Sequence, residues 1–320
     1  MSVSLDKSEP ATVSPGYGPT RTRRARRTRV HRGEGWWALA MLVPTLVGLG
    51  VFSLWPIFQT LYYSFTTWGA FGGHVWSGLA NYRSLLSDSE LLQSLLNTFI
   101  FTAVTLTSVP LAIVVAALLN RPGMRGLAVY RTLYFLPVVT LPASVALMWK
   151  LLLSGDYGIV NWLLSLVHVN GPYWLSNPGT AIYALAAVSV WSSIGFNMVI
   201  LLAGIQTIPR DYYEAAELDG AGKVRQFVSI TVPLLTPSIF FVTVITVINS
   251  LQAFDLVYLM VGVNNPALDH SQTIVYLFYK TGFIDHDGGY AAAIAFVLMV
   301  AILVFTTIQF RLQKRWVHYV

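Results

Sequence analysis

The sequence has no cysteine among its 320 residues, which excludes disulfide bonds, thiolate metal ligands and a cysteine nucleophile. It is also poor in charge, since only 11% of its residues are charged, whereas soluble domains carry about 25%. Apolar residues make up 55% of the chain, and the mean hydropathy is +0.61. These values are typical of an integral membrane protein. Because there is no cysteine, the sequence does not indicate whether the protein lies in an oxidising or a reducing compartment.

Motifs of soluble enzymes are missing as well. The six histidines all fall in predicted tails or loops, so a buried metal centre has no obvious ligands. H-E-x-x-H and G-x-S-x-G do not occur, which argues against an intramembrane hydrolase. Gly222-Lys223 does not belong to a phosphate-binding loop, because Glu217 and Val224 stand where that loop needs glycine and Ser or Thr. We therefore expect a non-catalytic chain without a metal site.

Six apolar stretches are long enough to cross a hydrocarbon core, which takes about 20 helical residues. They are residues 36–62, 97–119, 131–153, 181–204, 235–259 and 289–310. The shorter apolar run 159–169 is expected to lie at the membrane interface. The sequence thus predicts an all-α, polytopic membrane helix bundle with six transmembrane helices.

The tails and the positive charges indicate the orientation of these spans. Residues 1–35 read as a disordered basic tail with seven arginines between 21 and 32, and residues 313–320 as a short C-terminal tail. With both termini inside, only Arg83, Lys150 and Lys280 of the 20 cationic residues fall outside. The positive-inside rule therefore predicts two cytoplasmic termini and explains the net charge of +6 without nucleic acid. The arginine cluster reads as a topological anchor or a site for anionic lipid.

The segment 207–233 is the one long polar stretch between two very apolar ones. Asp211 and Glu214 follow Pro209, as is typical of a helix N-terminus. Gly220 can take the left-handed conformation that ends such a helix, and apolar residues then recur at helical spacing up to Pro233. Two short helices meeting at a glycine are predicted on the cytoplasmic side.

This segment closely resembles the EAA loop of bacterial ABC-importer permeases. The shared pattern is Glu214-Ala215-Ala216, three residues, Gly220, nine residues, then Ile230-x-Val232-Pro233, with Val232 where the family usually has leucine. In that family the loop docks into a groove of the ATPase. The resemblance implies this coupling role for Tyr213, Glu214, Ala215, Ala216, Asp219, Gly220, Ala221 and Pro233. The alternative is an interfacial amphipathic helix that holds two spans apart.

Shorter matches resemble the carbohydrate-uptake branch, similar to permeases for maltose-type oligosaccharides and glycerol-3-phosphate. They include Gly78-Leu79-Ala80-Asn81-Tyr82, Asn97-Thr98, Leu119-Asn120-Arg121, Arg131-Thr132, Phe135-Leu136-Pro137, Gly158-Ile159-Val160-Asn161 and Phe254-Asp255-Leu256-Val257-Tyr258. The resemblance spans residues 36–312 and implies the type I ABC importer permease fold in a bacterial cytoplasmic membrane.

The same resemblance implies partners. They are a second homologous permease in a heterodimer, an ATPase dimer that binds ATP and Mg, and an extracytoplasmic solute-binding protein. No cofactor is expected on this chain itself.

Two predicted spans carry polar faces suited to a sugar, because amides exchange hydrogen bonds with hydroxyls and aromatic rings stack on C–H faces. Substrate-pathway candidates are Trp191, Ser193, Gly195 and Asn197 in the fourth span, and Asn249, Ser250, Gln252 and Asp255 in the fifth. The alternative for the amides and serines is hydrogen bonding between helices. Asp255 reads equally as a ligand-facing carboxylate or a solvated residue at the outer boundary.

A competing function is an ion-coupled secondary transporter or channel subunit. That class predicts ionisable residues inside the spans and no docking loop. Asp255 is the one carboxylate near a predicted span, so the sequence favours the ABC permease.

Because the chain has no native cysteine, single-cysteine labelling can test the predicted topology. Cysteines that replace Val75, Pro172 and Phe283 are expected to react with an impermeant maleimide from outside. Cysteines at Arg125, Gly222 and Trp316 are expected to stay unlabelled until the membrane is permeabilised. The reverse labelling pattern would overturn the orientation.

Overall fold

The structure is a computed structural model that describes residues 32–68, 73–120 and 126–317. Two compact units divide the chain, one up to Leu54 and one from Trp55 onward. In the first unit, helix α1 covers Arg32–Leu49 and a π-helical turn covers Gly50–Leu54. The predicted tail lies outside the described residues up to residue 31, and its predicted end at residue 35 falls inside α1.

The second unit is built almost wholly from helices. In chain order these are α2 (Trp55–Tyr63), α3 (Ala80–Ser87), α4 (Ser89–Thr105), α5 (Ser108–Leu119), α6 (Leu127–Val139), α7 (Pro142–Leu152), α8 (Ile159–Ser165), α9 (Ala181–Gln206), α10 (Asp211–Leu218), α11 (Lys223–Gln226), α12 (Val232–Leu234), α13 (Thr236–Leu251), α14 (Ile274–Tyr279) and α15 (Gly288–Trp316). π-Helical turns cover Phe227–Thr231, Val257–Val261 and Lys280–Ile284.

The described residues contain four single helical stretches that are long and apolar enough to span a membrane. They are Leu39–Tyr63, Ser89–Leu119, Ala181–Gln206 and Gly288–Trp316. Two bent pairs raise the number to six if each pair is one span: α6 with α7, at 102°, and Lys223–Leu234 with α13, at 68°. The predicted helical membrane class is confirmed, and the six predicted spans correspond to these stretches.

The second span begins earlier than the sequence predicts. Asp88 caps α4 by accepting hydrogen bonds from the backbone N–H groups of Glu90 (2.8 Å) and Leu91 (3.3 Å). Its helix therefore starts at Ser89 rather than near residue 97. The first two turns mix leucines with Glu90, Gln93 and Ser94, so a continuous apolar run does not reveal them.

The third and fifth spans are interrupted where straight helices were expected. Leu141 precedes Pro142 and is extended at ψ 130°, as the residue before a proline tends to be, and the chain bends there. The predicted span 235–259 ends at Leu251, and residues 257–261 form a separate turn. At the other end of the chain, α15 continues to Trp316, so the predicted C-terminal tail begins inside a helix.

Helix α9 is the centre of the packing in the second unit. It packs against α4, α5, α6 and α13. Toward its start, Leu185 and Val188 belong to a cluster that includes Phe101 of α4 and Met260. Toward its end, Met198 and other buried residues pack against α5 and α13 in a second cluster. Twelve residues of α9 are buried, so its hydrophobic surface faces helices on several sides.

A short β-hairpin was not predicted from the sequence. Strands β1 (Thr66–Trp68) and β2 (His74–Trp76) pair antiparallel, with Thr66 opposite Trp76. The buried Asn81 amide donates to the carbonyls of Ser64 (2.9 Å) and Thr66 (2.8 Å), which ties the hairpin to α3. Three-residue strands carry too little alternating pattern to be recognised in sequence.

A polar cluster fastens the long connection between α13 and α15 to α4. The Asn97 amide donates to the carbonyls of Asp269 (3.2 Å) and Gln272 (3.0 Å). Glu90 accepts from the Gln272 amide (3.0 Å) and from Lys280 Nζ (2.6 Å). We call these five residues the α4 clasp. It joins parts of the chain more than 170 residues apart.

Replacing Asn97 by alanine is expected to destabilise the α4 clasp by about 1–3 kcal/mol, because two carbonyl groups lose their buried donor. Thermal unfolding of the purified protein in detergent measures this as a lower midpoint. Gln93→Ala is the control, since the half-buried Gln93 donates only one bond, to Asn97 Oδ1 at 3.0 Å. Equal midpoints for Asn97→Ala and the wild type would contradict the assignment.

Candidate functional site

The polar segment between α9 and α13, here called the coupling segment, turns at Gly220. Gly220 adopts a φ of +74°, and its N–H donates to the carbonyl of Glu217 (3.0 Å). The next N–H, of Ala221, reaches back to the carbonyl of Ala216 (2.8 Å). This pair of bonds is a Schellman C-cap, which a left-handed glycine permits. The predicted pair of short helices meeting at this glycine is confirmed.

Side chains hold the two short helices together across this turn. Lys223 of α11 forms an ion pair with Glu217 of α10, and its hydrogen bond holds the pKa of the Glu217 carboxyl below its usual range. The buried Gln226 side chain donates to the carbonyl of Ala221 (3.0 Å). The ion pair is exposed and contributes little stability, whereas the Gln226 bond is shielded from water.

The coupling segment presents apolar side chains to its surroundings. No residue of α10 is buried in this chain. Leu218 is 90% exposed and Val224 is 79% exposed, one on each side of the turn, and Tyr212 is also exposed. The turn thus carries exposed apolar side chains next in sequence to the charged Glu217 and Lys223. Such a surface on an ordered turn is typical of a contact site for another protein.

The sequence-predicted coupling residues differ in their exposure. Glu214, Ala215, Asp219 and Gly220 are exposed, whereas Tyr213, Ala216, Ala221 and Pro233 are half-buried. The Tyr213 hydroxyl lies 3.0 Å from Thr231 Oγ1 and so links α10 to the stretch that leads into α12. The predicted residues therefore divide into an outer surface and an inner support for it.

The coupling segment is attached directly to two spans that touch one another. A Cβ atom built on Gly204, near the end of α9, would lie 2.4 Å from Ser238 Oγ in α13. The two helices therefore approach closely where the segment leaves one and enters the other. Any displacement of the segment acts on both.

Comparison with known proteins identifies this architecture. Residues 86–318 match the protein family described as binding-protein-dependent transport system inner membrane component. The chain belongs to this family. The resemblance drawn from the EAA pattern is thereby confirmed, and the chain is a multi-pass membrane permease.

Relatives of this permease match it over nearly their whole length. The probable ABC transporter permease protein YesP of Bacillus subtilis is 34% identical over 95% of this chain and 98% of that protein. The sn-glycerol-3-phosphate transport system permease protein UgpA of Agrobacterium fabrum is 34% identical over 87% of this chain and 95% of that protein. A chain from the crystal structure of a bacterial ABC transporter that imports the acidic polysaccharide alginate has the same fold. It gives a TM-score of 0.79 at 23% identity, over 88% of this chain and 96% of that one.

The predicted polar face of α9 is largely turned into the permease. Asn197 is only 1% exposed, and its amide donates to Ser108 Oγ in α5 (3.2 Å) and Thr246 Oγ1 in α13 (3.3 Å). Gly195 is buried where α9 crosses α6, and a Cβ there would lie 2.0 Å from the carbonyl oxygen of Tyr134. This geometry favours the interhelical alternative for both residues. Ser193 is half-buried beside them.

Trp191, in contrast, reaches the surface of the described permease. Its ring is partly exposed and meets the Trp149 ring edge-on, with centroids 5.4 Å apart. It therefore joins α9 to α7 and leaves part of an aromatic face open.

The end of α13 also leaves polar groups open. Asn249 and Gln252 are exposed, and Asp255 is exposed four residues beyond the last residue of the helix, Leu251. Ser250 is buried and donates to the carbonyl of Thr246 (2.7 Å), so it is satisfied within its own helix. The structure thus brings Asn249, Gln252 and Asp255 to one open end of α13 and separates them from Asn197.

An aromatic cluster beside this end was only half recognised in the sequence. Phe254 stacks on Tyr258 with centroids 5.2 Å apart, and both rings meet Tyr279, at 5.2 and 5.3 Å. Phe283 in turn stacks on Tyr279 at 5.5 Å. Tyr279 and Phe283 come from the far side of a long loop, so sequence spacing does not reveal their contribution. Among the described residues, no three His, Asp or Glu side chains gather to hold a metal ion.

Proposed function

We propose that this permease is the transmembrane subunit of an ATP-driven importer for a sugar or sugar-like solute. The observation that carries the proposal is the coupling segment, an ordered and exposed turn of two helices with the EAA pattern between α9 and α13. An inner-membrane transport component needs a device of this kind to receive mechanical work from a separate motor.

The physical chemistry of the coupling segment supports ATPase docking. The C-cap at Gly220 and the Gln226 bond order the turn before any partner binds, which lowers the entropy cost of association. Leu218 and Val224 gain by leaving water, at about 25 cal/mol per Å² of apolar surface. Asp211 and Glu214 in the first turn of α10 give the surface a charged edge that helps to orient the partner.

The same proposal assigns the partners. They are a second homologous permease in a heterodimer, an ATPase dimer on the cytoplasmic side and an extracytoplasmic solute-binding protein. The ATPase binds ATP and Mg, while this chain binds no cofactor and catalyses no reaction. The complex lies in the bacterial cytoplasmic membrane with both termini of this chain in the cytoplasm, as the distribution of Lys and Arg indicates.

The solute class follows from the open polar groups and from the relatives. UgpA is named for sn-glycerol-3-phosphate transport, which favours a polyhydroxylated solute for this permease too. Asn249 and Gln252 offer amides without formal charge, and Trp191 offers a ring face. Contact with a second subunit or a solute also removes these amides from lipid, where an unpaired polar group is costly. Their affinity for solute is expected to be weak, because tight binding would slow release.

The ion-coupled alternative has less support. It calls for carboxylates within the spans, and Asp255 lies beyond the end of α13 rather than inside it. It also leaves the exposed coupling segment without a role.

A matched pair of glycine substitutions tests ATPase docking. Gly220→Ala is expected to weaken binding of the ATPase about 5- to 30-fold, because a left-handed alanine costs about 1–2 kcal/mol. Gly222→Ala is the control, since that glycine has an ordinary φ of −66° and both positions have open space around a Cβ. Glu214→Lys, which reverses a charge on the outer surface, is expected to weaken binding as well. The measurement is co-purification of the ATPase together with uptake into proteoliposomes, and full binding by Gly220→Ala and Glu214→Lys would refute docking here.

A double substitution at the end of α13 tests the solute path. Asn249→Ala with Gln252→Ala is expected to lower uptake several-fold, because each lost hydrogen bond contributes about 0.5–1.5 kcal/mol. Assembly and the ATP hydrolysis stimulated by the binding protein are expected to persist. Asn170→Ala, an exposed amide in another loop, serves as the control. If the double mutant assembles normally and imports solute at the wild-type rate, Asn249 and Gln252 do not belong to the solute path and have only a structural role.

A further inference from the structure

A cavity of about 840 Å³ opens in the loops at the end of α9 that is remote from the coupling segment. α9 has 26 residues, so about 39 Å of helix separates the two sites. The cavity size falls within the range of roughly 300–1,000 Å³ typical of small-molecule sites. Its floor is apolar and includes the buried side chains of Leu153, Leu175 and Met260.

One wall of the cavity is organised by Asn161. The Asn161 amide donates to three backbone carbonyls, those of Gly155 (3.0 Å), Gly171 (3.4 Å) and Pro172 (3.2 Å). Its Oδ1 atom accepts from the indole N–H of Trp174 at 2.7 Å. One side chain thus fixes the loop before and after α8, so this wall is preformed.

The rim of the cavity is aromatic and polar. The Tyr173 hydroxyl donates to Asp156 Oδ1 (2.8 Å), which orients the exposed carboxylate and leaves its second oxygen open. Tyr157 is 75% exposed on the same rim. Two further polar residues line the cavity. Lys150 donates to the carbonyl of Leu259 (3.1 Å), and the exposed Asn264 makes no side-chain hydrogen bond within the described chain.

An ordinary membrane-interface belt of Tyr and Trp does not account for this arrangement. Belt residues direct their polar tips to lipid headgroups and water. Here the Trp174 indole N–H is bonded to Asn161 and the Tyr173 hydroxyl to Asp156. The Tyr173 ring lies against Gly155, where a Cβ would come within 2.1 Å of it. The polar groups of Trp174 and Tyr173 therefore bind other residues of the loops, while both residues and Asp156 line the cavity.

We propose that this cavity is a solute subsite at the outer mouth of the permease, which receives one ring or polyol unit of a saccharide-like ligand as it enters. The Asp156 carboxylate binds hydroxyl groups, the tyrosine rings stack on C–H faces, and the apolar floor excludes water. Lys150 supplies a positive charge for a phosphorylated or acidic solute. The inference rests on the proposed function for the solute class and for the outward side of the membrane.

Protection of a single cysteine tests this subsite in the complex purified through a tag on this chain. Asn264→Cys is placed on the rim, and the rate of maleimide labelling on this chain is measured with no addition, with maltose and with sn-glycerol-3-phosphate. At least one of the two probes is expected to slow labelling several-fold. Asn170→Cys is the matched control, because Asn170 is an exposed amide in the loop that carries Tyr173 but does not line the cavity.

Further variants connect protection to the rim. In the Asn264→Cys background, Asp156→Asn is expected to raise the half-protecting probe concentration about tenfold, because hydrogen bonds to a charged group are the stronger ones. Tyr173→Phe, which keeps the ring over Gly155 and removes the hydroxyl, is expected to have a smaller effect in the same direction. Both variants are expected to retain ATPase binding, which separates this test from that of the coupling segment.

Three outcomes would overturn the inference. In the first, neither probe slows maleimide labelling of Asn264→Cys. In the second, a probe slows labelling of Asn264→Cys and Asn170→Cys equally. In the third, labelling of Asn264→Cys is slowed by the solute-binding protein alone and not by solute. The last would make the cavity a protein-contact surface. If the complex imports solute but solute does not protect the cysteine at the rim, only the subsite is refuted. If the complex neither imports solute nor contains an ATPase, the proposed function is refuted.

Discussion

Close packing of α9 against its neighbours is the interaction on which the second unit depends. Helices surrounded by lipid gain little from the hydrophobic effect between them, so small residues and interhelical hydrogen bonds must set their spacing. Gly195 lets α6 approach the backbone of α9, and Gly204 does the same for α13. Asn197 adds bonds to α5 and α13 between these two points. Three positions on one helix therefore set where three others lie.

This arrangement gives the proposed coupling a mechanical basis. α9 is continuous over 26 residues, whereas the neighbouring spans bend before Pro142 and at Leu235. An unbroken helix transmits a displacement at one end to the other, and a bent one changes direction where its backbone bonds are interrupted. The coupling segment joins the straight helix to a bent one. In the proposed coupling, motion received there is passed along both helices, to the loops at the far end of α9 and to the open polar end of α13.

At the end of the bundle remote from the coupling segment, polar side chains hold the chain together, whereas apolar packing does so between the helices. The α4 clasp fastens the chain after α13 to the start of α4, with Asn97 and Glu90 as its centre. Asn161 performs a comparable task in the loop before α9. Backbone groups in such loops have no helix to satisfy them, so amide side chains that donate twice or more substitute for regular structure. The two loops border the cavity and give it preformed walls.

Composition and local pattern were sufficient for the class, the number of apolar stretches and the coupling segment. The hydrocarbon core requires apolar residues along the whole length of a span. Low charge and runs of about 20 apolar residues can therefore be recognised in the sequence. The helix end at Gly220 was also legible, because a left-handed turn depends on one residue and its neighbours. The mixed start of α4, the bends and the early end of α13 were missed, since capping and interruption depend on few atoms and leave the apolar pattern unchanged.

Only the tertiary structure decided which polar residues face one another. Asn197 and Asn249 look alike in sequence, yet one bridges three helices and the other lies open, because the direction of each side chain depends on how the helices are rotated and spaced. Tyr279 and Phe283 join Phe254 and Tyr258 through a loop. Asp156 and Asn264 line one cavity from positions about a hundred residues apart. Periodicity along the chain reports the face on which a residue lies, whereas the partner opposite that face is set by long-range packing.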